Sequence, residues 1–302
     1  MGKKKNYVEK TKEEMKAELD ALSEMLEKGI EQAGNSDFYR KLLDTASKFH
    51  NYSLSNTLLI LMQNPDATYV AGYKTWGKLG RHIKKGEKSI RIYAPAFKTV
   101  VVNVEKVDRK TGEKVAEKEE HVIQRFRACS VFDLSQTEGD EIPGITDTEL
   151  RGKADDYESL LSALMSVTTA DVEIGHISGL SKGYFRPADN TIMVKEGMSE
   201  VQTIKTLAHE VGHSIMHGGE CDTPRDQKEL EAESVAYIVC SHFGLDVSEY
   251  SFTYIAGWAR ENGTEKLRES IKTIHATASK IINGMESMLL GEETDEAEGI
   301  SA

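Results

Sequence analysis

The residues from Thr206 to His217 read TLAHEVGHSIMH and contain the spacing His-Glu-x-x-His. Apolar residues recur there at helical intervals, which predicts a helix with one buried face: Leu207, Val211 and Ile215. His209 and His213 are four residues apart, so both imidazoles can reach one metal ion. Glu210 can then accept a proton from water that the metal activates. This combination is typical of a zinc hydrolase.

A catalytic zinc ion needs a third protein ligand and keeps a further position open for water. Turn signals at 218–224 predict that the next helix, beginning near Asp226, folds back across the first. Glu229 and Glu233 share a face of that helix, whereas Glu231 points about 200° away from Glu229. Helical zinc proteases often carry Glu-x-x-Ala followed by an acidic or amide residue. We therefore expect Glu229 to bind metal and Glu233 to orient a metal-binding histidine, with Glu231 as the main alternative ligand.

His217 continues the face of the two imidazoles one turn further on. It is expected to lie at the surface or beside the ligands, and not to bind the metal. Residues 183–194 predict a hairpin that turns at Asp189 and Asn190, and one of its edges could take an extended peptide by strand addition. Tyr184 and Tyr237 are alternative groups for stabilising an oxyanion.

The composition is that of a soluble globular protein. The chain has 302 residues, of which 39% are hydrophobic and 29% charged, and this length suggests about two domains. No apolar run approaches the ~18 residues that span a bilayer, and no apolar stretch follows Lys3–Lys5, so no membrane partner and a cytoplasmic location are expected. The cysteines Cys129, Cys221 and Cys240 are odd in number, which disfavours a disulfide framework.

The charge of the chain is distributed unevenly. The segment from Lys74 to Lys98 contains eight basic residues and one acidic residue, a net charge of +7. Because the whole chain carries −12, the remainder carries −19. Aromatic side chains are interleaved with these cations, and proteins that bind single strands use cations for phosphates and aromatic faces for bases. The alternative interpretation is a solvated basic face with Trp76 in the core.

The residues predicted to contact nucleic acid are Tyr73, Lys74, Trp76, Lys78, Arg81, Lys84, Lys85, Lys88 and Arg91.

The pattern along the chain predicts an α+β protein with four segments. Residues 1–138 form the N-terminal domain, 139–154 a linker, 155–290 a second domain with a small sheet and the metal-binding helix, and 291–302 a disordered acidic tail. Three helices are expected in the first domain: one at 10–33, one at 37–49 capped by Ser36 or Asp37, and a third that ends at Met62. Strands are expected at 70–73, 89–94, 98–107 and 119–132. The second domain is expected to end in helices at 248–262 and 264–288.

Residues 49–94 resemble the N-terminal domain of the ArdC antirestriction family. The shared elements are Tyr52-Ser53-Leu54-Ser55-Asn56, Gly72-Tyr73-Lys74-Thr75-Trp76, and Lys85-Gly86-Glu87-Lys88 leading into a strand. The resemblance implies that this domain binds single-stranded DNA and that a zincin-like metallopeptidase domain follows. His209 to His213 and Glu229 to Glu233 lie where such a domain would place them. It also implies a protein of plasmids and conjugative elements that protects incoming DNA.

Three functions are compatible with these patterns. The first is a single-stranded-DNA-binding protein acting in antirestriction or conjugative transfer, with Zn²⁺ mainly structural or vestigial. The second is an active protease that removes a host or self protein, with a protein or peptide substrate. The third is a zinc protease that cleaves a repressor or other regulatory protein without binding nucleic acid.

Overall fold

The computed structural model describes residues 10–107, 114–142, 157–219 and 222–291. For residues 103–107 and 114–119 it describes the backbone only. The described ranges leave out residues 108–112, which lie between the strands predicted at 98–107 and 119–132, most of the linker predicted at 139–154, and nearly all of the acidic tail. Cys221 is also outside them.

Three helices open the described chain: α1 (Lys12–Gln32), α2 (Ser36–Lys48) and α3 (Leu54–Gln63). Thr11 caps α1 in a capping box with Glu14, which satisfies two backbone amides at the helix start. The predicted cap of α2 was wrong by one residue, since the side chain of Asn35 accepts hydrogen bonds from the amides of Asp37 and Phe38.

A strand-rich region follows the three helices. It consists of β1 (Val70–Gly72), α4 (Tyr73–Lys78), β2 (Arg81–Ile83), β3 (Ile90–Val107), β4 (Lys114–Asp133), a 3-10 turn (Leu134–Gln136) and β5 (Thr137–Gly139). β4 pairs antiparallel with both β1 and β3, and β2 pairs antiparallel with β5. β3 is one continuous strand where the sequence predicted two. β5 takes up Gly139, which the sequence placed in the linker.

The C-terminal part begins with α5 (Tyr157–Ser166) and a three-stranded sheet of β6 (Asp171–Gly175), β7 (Gly183–Arg186) and β8 (Thr191–Lys195). β8 is central, parallel to β6 and antiparallel to β7, so β7 is an edge strand. Four helices complete the chain: α6 (Glu200–His217), α7 (Arg225–His242), α8 (Ile255–Asn262) and α9 (Thr264–Leu290). Residues 248–254 were wrongly predicted as helical, since α8 begins at Ile255.

The prediction of an α+β fold is confirmed by this arrangement of helices with small sheets. The larger apolar core joins the two ends of the chain, because α2 and α3 pack with α6, α7 and α9. The hydroxyls of Tyr39 in α2 and Ser234 in α7 lie 2.8 Å apart inside it. A smaller core lies between α1, α3 and the β3–β4 pair. The helices of the N-terminal part therefore rest on the helices that carry the His-Glu-x-x-His segment.

The domain boundaries stay a prediction.

Among the described residues, none of the helices has both the length and the apolar character needed to cross a bilayer.

Candidate metal centre

Helices α6 and α7 bring three ligand atoms to one point. The Nε2 atoms of His209 and His213 are 3.0 Å apart. Glu229 Oε2 lies 3.5 Å from the first and 3.8 Å from the second. The two imidazoles hold the pKa of the Glu229 carboxyl well below its usual range, so it is an anion at neutral pH. The three groups that the sequence predicted as ligands are thus adjacent, and they come from consecutive helices.

These distances fit a divalent metal. Metal–ligand bonds of about 2.0–2.1 Å at tetrahedral angles separate the ligand atoms by about 3.3 Å, close to the separations observed. Two imidazole nitrogens and one carboxylate oxygen are a donor set that suits zinc and related first-row ions. The site opens into a cleft, which leaves the fourth direction accessible to solvent.

A buried hydrogen-bond chain fixes the orientation of His213. Its Nδ1 lies 3.3 Å from Nδ1 of His217, and Nε2 of His217 lies 2.9 Å from Glu231 Oε2. Gln227 donates to the other oxygen of Glu231, and both His217 and Glu231 are buried. Glu231, the alternative ligand, is therefore directed away from the metal point and toward His217.

The proton positions along this chain follow from its chemistry. A carboxylate only accepts, so His217 must donate from Nε2 and present a bare Nδ1. His213 must then donate from its own Nδ1, which leaves a lone pair on Nε2 facing the metal point. This is the tautomer that metal binding requires. The sequence did not predict that Glu231 orients His213 through His217. The one signal was the i, i+4 spacing of His213 and His217, which places the two rings side by side on α6.

Glu210 lies beside the ligands with its carboxyl largely withdrawn from water. Burial and then the nearby Glu229 raise its pKa, against the lowering effect of His209, to about 7. The backbone of Phe185 in β7 donates to it. A Cβ added at Gly183 would come within 2.6 Å of the Thr206 methyl and 3.2 Å of Glu210 Cγ. The glycine thus allows β7 to approach α6 closely beside the predicted base.

Two clefts of about 400 and 460 Å³ meet at the centre and share Gly183, His209 and Glu210 in their walls, and the larger one is lined by all three ligands. Tyr184 lines the second of them, so it remains available for the oxyanion role. Tyr237 lines neither cleft, because its side chain is buried and its hydroxyl is hydrogen-bonded to Asp44 and Arg40. Assigning the oxyanion role to Tyr237 is thereby excluded.

Glu233 lines the first cleft beside His209. Burial raises the pKa of its carboxyl, although the charge of His209 acts in the opposite direction. Within the described residues no hydrogen bond joins it to either imidazole, so its orienting role stays a prediction.

The basic segment presents only part of its predicted nucleic-acid-binding set to solvent. Six of these side chains are exposed: Tyr73, Lys74, Lys78, Lys84, Lys85 and Lys88. Tyr73 is 70% exposed, although it belongs to a residue type that is often buried. The exposed residues carry five ammonium groups and one aromatic ring, on α4 and on the turn before β3, and the ammonium group of Lys84 is bonded within the protein.

Three members of the set bind within the protein, and one of them, Lys84, is also exposed. Arg81 donates to Thr137 and Asp140, which ties β2 to β5. Lys84 is exposed, but its Nζ donates to the carbonyl of Ser135 at 2.7 Å. Arg91 donates to Ser130 and pairs with Glu18 of α1. These cations have a structural role in the fold described.

The prediction that Trp76 contacts nucleic acid is wrong. Its side chain is 0% exposed, its Nε1 donates to the carbonyl of Phe132 at 3.0 Å, and its ring packs edge-on against Tyr69. A ring in this position cannot stack on an unpaired base. The alternative of Trp76 in the core is the correct one.

Comparison with known proteins divides the chain in two. Residues 5–132 match the N-terminal domain of anti-restriction factor ArdC, and residues 166–241 match the IrrE N-terminal-like (peptidase M78) domain. An uncharacterized Bacillus anthracis protein, pXO2-81, is 28% identical over 95% of this chain. The chain spans about half the length of that relative, 54%.

Two crystal structures of the antirestriction protein ArdC from plasmid R388 are also similar, one metal-free and one Mn(II)-bound. Each is 21% identical, covers 80% of this chain and 86% of its own, with TM-scores of 0.46 and 0.47. The two domain matches, in this order, support an ArdC-like chain, in which an ArdC N-terminal domain is followed by an IrrE N-terminal-like (peptidase M78) domain.

Proposed function

We propose that this protein binds single-stranded DNA through its N-terminal domain and carries a zinc-dependent peptidase centre, acting in antirestriction or conjugative DNA transfer. The observation that carries the enzymatic half is the convergence of His209, His213 and Glu229 beside Glu210 in an open cleft. The match to the ArdC N-terminal domain supports the DNA-binding half.

The residues around the centre have separate tasks in peptide hydrolysis. Zinc held by the three ligands would activate water and polarise a scissile carbonyl. Glu210, with a pKa raised to about 7, can accept a proton near neutral pH and return it to the leaving amine. The chain from His213 through His217 to Glu231 keeps the imidazole lone pair directed at the centre.

The edge strand β7 supports a peptide substrate. Its residues Gly183, Tyr184 and Phe185 line the clefts on the side facing Glu210. An edge strand has unpaired backbone groups, and an extended peptide can hydrogen-bond to them while its side chains enter the clefts. Because two clefts meet at His209 and Glu210, a substrate would find room for more than the scissile bond alone.

The peptidase half is tested by exchanging the base. We expect Glu210→Gln to retain zinc and to abolish cleavage of a peptide library read by mass spectrometry in the presence of Zn²⁺. Glu249→Gln is the matched control, since it removes one negative charge from the same cleft wall and should leave cleavage in place. Cleavage by the Glu210 variant at the wild-type rate would contradict the role of Glu210.

The DNA half is tested by fluorescence anisotropy with a labelled single strand over a range of salt concentrations. We expect Lys85→Ala with Lys88→Ala to weaken binding and to reduce the slope of log K against log salt by about 1.4, or about 0.7 per phosphate contact. Tyr73→Ala should weaken binding as well, since one stacked base contributes about 1–3 kcal/mol.

The control pair for these lysines is Lys272→Ala with Lys280→Ala, two exposed residues on α9 that carry the same charge. It should leave the affinity unchanged. Equal loss in both pairs would show a general charge effect, and equal affinity for duplex and single strand would contradict the proposed preference.

The alternative is a zinc protease that cleaves a repressor or another regulatory protein without nucleic-acid binding. The burial of Trp76 favours it, because this removes one of the predicted stacking surfaces. It predicts no salt-dependent DNA binding at all, together with cleavage that Glu210→Gln removes.

A further inference from the structure

A second group of metal-binding residue types lies away from the cleft. His50 follows α2, His242 is the last residue of α7, and Glu286 lies in α9. One ligand atom from each of the three lies within 4.8 Å of the other two. Among the described residues, the only other such group is the centre formed by His209, His213 and Glu229.

The carboxylate of Glu286 is placed between the two imidazoles. Its Oε1 lies 2.9 Å from Nε2 of His242, and its Oε2 lies 3.4 Å from Nε2 of His50. The two rings meet edge to face with their centroids 4.7 Å apart. These separations resemble the spacing of about 3.3 Å expected between ligands of one tetrahedral ion.

The tautomer of His242 suits a ligand. Its Nδ1 lies 2.8 Å from the carbonyl oxygen of Ser47, which can only accept, so Nδ1 carries the proton. Its Nε2 donates to the Glu286 carboxylate at 2.9 Å when no ion is bound, and a bound cation would take the place of that Nε2 proton. A histidine that donates its second N–H to a backbone carbonyl is the usual arrangement at metal sites.

His50 gives the independent evidence. It is only 8% exposed, and within the described part of the chain neither of its ring nitrogens has a hydrogen-bond partner. Its contact with Glu286 is close enough for an ion pair but does not have hydrogen-bond alignment. Burying an imidazole whose only polar contact is this poorly aligned one costs free energy, and a metal ion bound to Nε2 would remove much of that cost.

The backbone around the group also favours a cation. α2 ends at Lys48 and α7 ends at His242, so the negative ends of two helix dipoles meet here. The backbone of His50 is held in place by Ser279 of α9, whose hydroxyl donates to the His50 carbonyl at 2.7 Å. The three residues are therefore positioned by α7, by α9 and by the segment after α2 before any ion arrives.

We propose that His50, His242 and Glu286 form a second divalent-cation site, of the class that takes Zn²⁺, which joins the N-terminal helices to the peptidase helices. His242 and Glu229 are at opposite ends of α7, about 20 Å apart at 1.5 Å per residue. The second site is thus separate from the hydrolytic centre and has a structural role. Glu286 is partly exposed, so water can complete the coordination.

Metal counting on the full chain tests the site independently of the first one. We expect elemental analysis after dialysis from Zn²⁺ to find two equivalents in the wild type. His209→Gln with His213→Gln should keep one, and adding His50→Gln to that pair should remove it. Co²⁺ bound to the double variant should show the absorption bands of a low-coordinate nitrogen and oxygen site.

His176→Gln is the control, because this exposed histidine also faces a glutamate but belongs to neither site. It should leave the count unchanged. A folded double variant that retains no zinc would overturn the proposal, even if the wild type holds one equivalent in the hydrolytic centre. If the triple variant does not fold, Glu286→Gln in the double variant replaces it, and retention of zinc there would equally overturn the site.

Discussion

At the scale of single residues, the centre depends on which proton each imidazole carries. Glu231 acts through His217 to hold His213 in the metal-binding tautomer, although Glu231 lies remote from the metal point itself. Its buried carboxylate is compensated by His217 and Gln227, so the arrangement is satisfied before a metal binds.

Replacing that carboxylate should weaken metal binding without removing a ligand. In Glu231→Gln an amide N–H can face His217 and reverse the proton order along the chain. We expect zinc affinity to fall about 10–100-fold, measured by competition with a chromophoric chelator. Glu249→Gln, which also removes a carboxylate near the centre, should change affinity little, and an equal fall in both would show a long-range charge effect instead.

His275 gives a pH dependence of stability. Burial, and then the charge of His50, lower its pKa from 6.5 to about 4. The unfolded chain therefore binds more protons between these values, so the contribution of neutral His275 is complete above pH 6.5 and is lost as the pH falls toward 4. Between pH 7 and 5 we expect the wild type to lose about 2 kcal/mol more stability than His275→Gln.

Urea unfolding of both proteins at the two pH values measures this difference. Gln can keep the contact with Thr57 that the Nε2 of His275 makes at 3.2 Å. Parallel losses in the two proteins would show that His275 does not titrate in this range.

At this scale the sequence predicted side-chain directions within a single helix, and it missed contacts between residues that are distant in the chain. The angle between Glu229 and Glu231 follows from helix geometry, and the structure places the two on different sides of α7. The burial of Trp76 depends on its partner Phe132, 56 residues away, so spacing alone could not distinguish a stacking surface from a core residue.

At the scale of elements, the close contact of β7 with α6 positions Glu210, the proposed base. Gly183→Ala would place a methyl against Thr206, Glu210 and the carbonyl of Met193, so either the strand or the base must move. We expect peptide cleavage to fall by up to about 100-fold, as for a small misplacement of a catalytic group, while zinc content is kept.

The control for Gly183→Ala is Gly175→Ala in β6 of the same sheet, where the added methyl meets only the sulfur of Met193 at 3.8 Å. It should leave cleavage unchanged. Loss of zinc from the Gly183 variant would indicate that β7 supports the ligands themselves and not the base.

The long helices α1 and α9 were predicted with nearly correct bounds, whereas the short strands β2 and β5 were not predicted. α1 and α9 have an apolar stripe over many turns, which a single sequence displays. β2 and β5 have three residues each and exist because Arg81 and Thr137 bring together segments more than 50 residues apart. Local pattern contains no information about such pairing.

At the scale of the whole molecule, the N-terminal helices and the peptidase helices share one core. Asp44 of α2 accepts from Tyr237 of α7 at 2.5 Å, and Thr57 of α3 contacts His275 of α9. The two matched domains are thus in direct contact through buried side chains.

A shared core predicts shared unfolding. We expect the full chain to unfold in one cooperative transition, with fluorescence of Trp76 and Trp258 and far-UV circular dichroism changing together. A fragment of residues 155–302 should show reduced helicity and exposed apolar surface, because the face covered by Tyr39, Leu42 and Leu58 would be open to water. Two separated transitions in the full chain would contradict a common core.

The central claim is that one divalent ion is held by two imidazoles of α6 and one carboxylate of α7. Anomalous diffraction at the zinc edge from crystals grown with Zn²⁺ tests it most directly. We predict a peak about 2.1 Å from His209 Nε2, His213 Nε2 and a carboxylate oxygen of Glu229. A peak bound by Glu231 or Glu233 in place of Glu229, or none between the two histidines, would contradict the account.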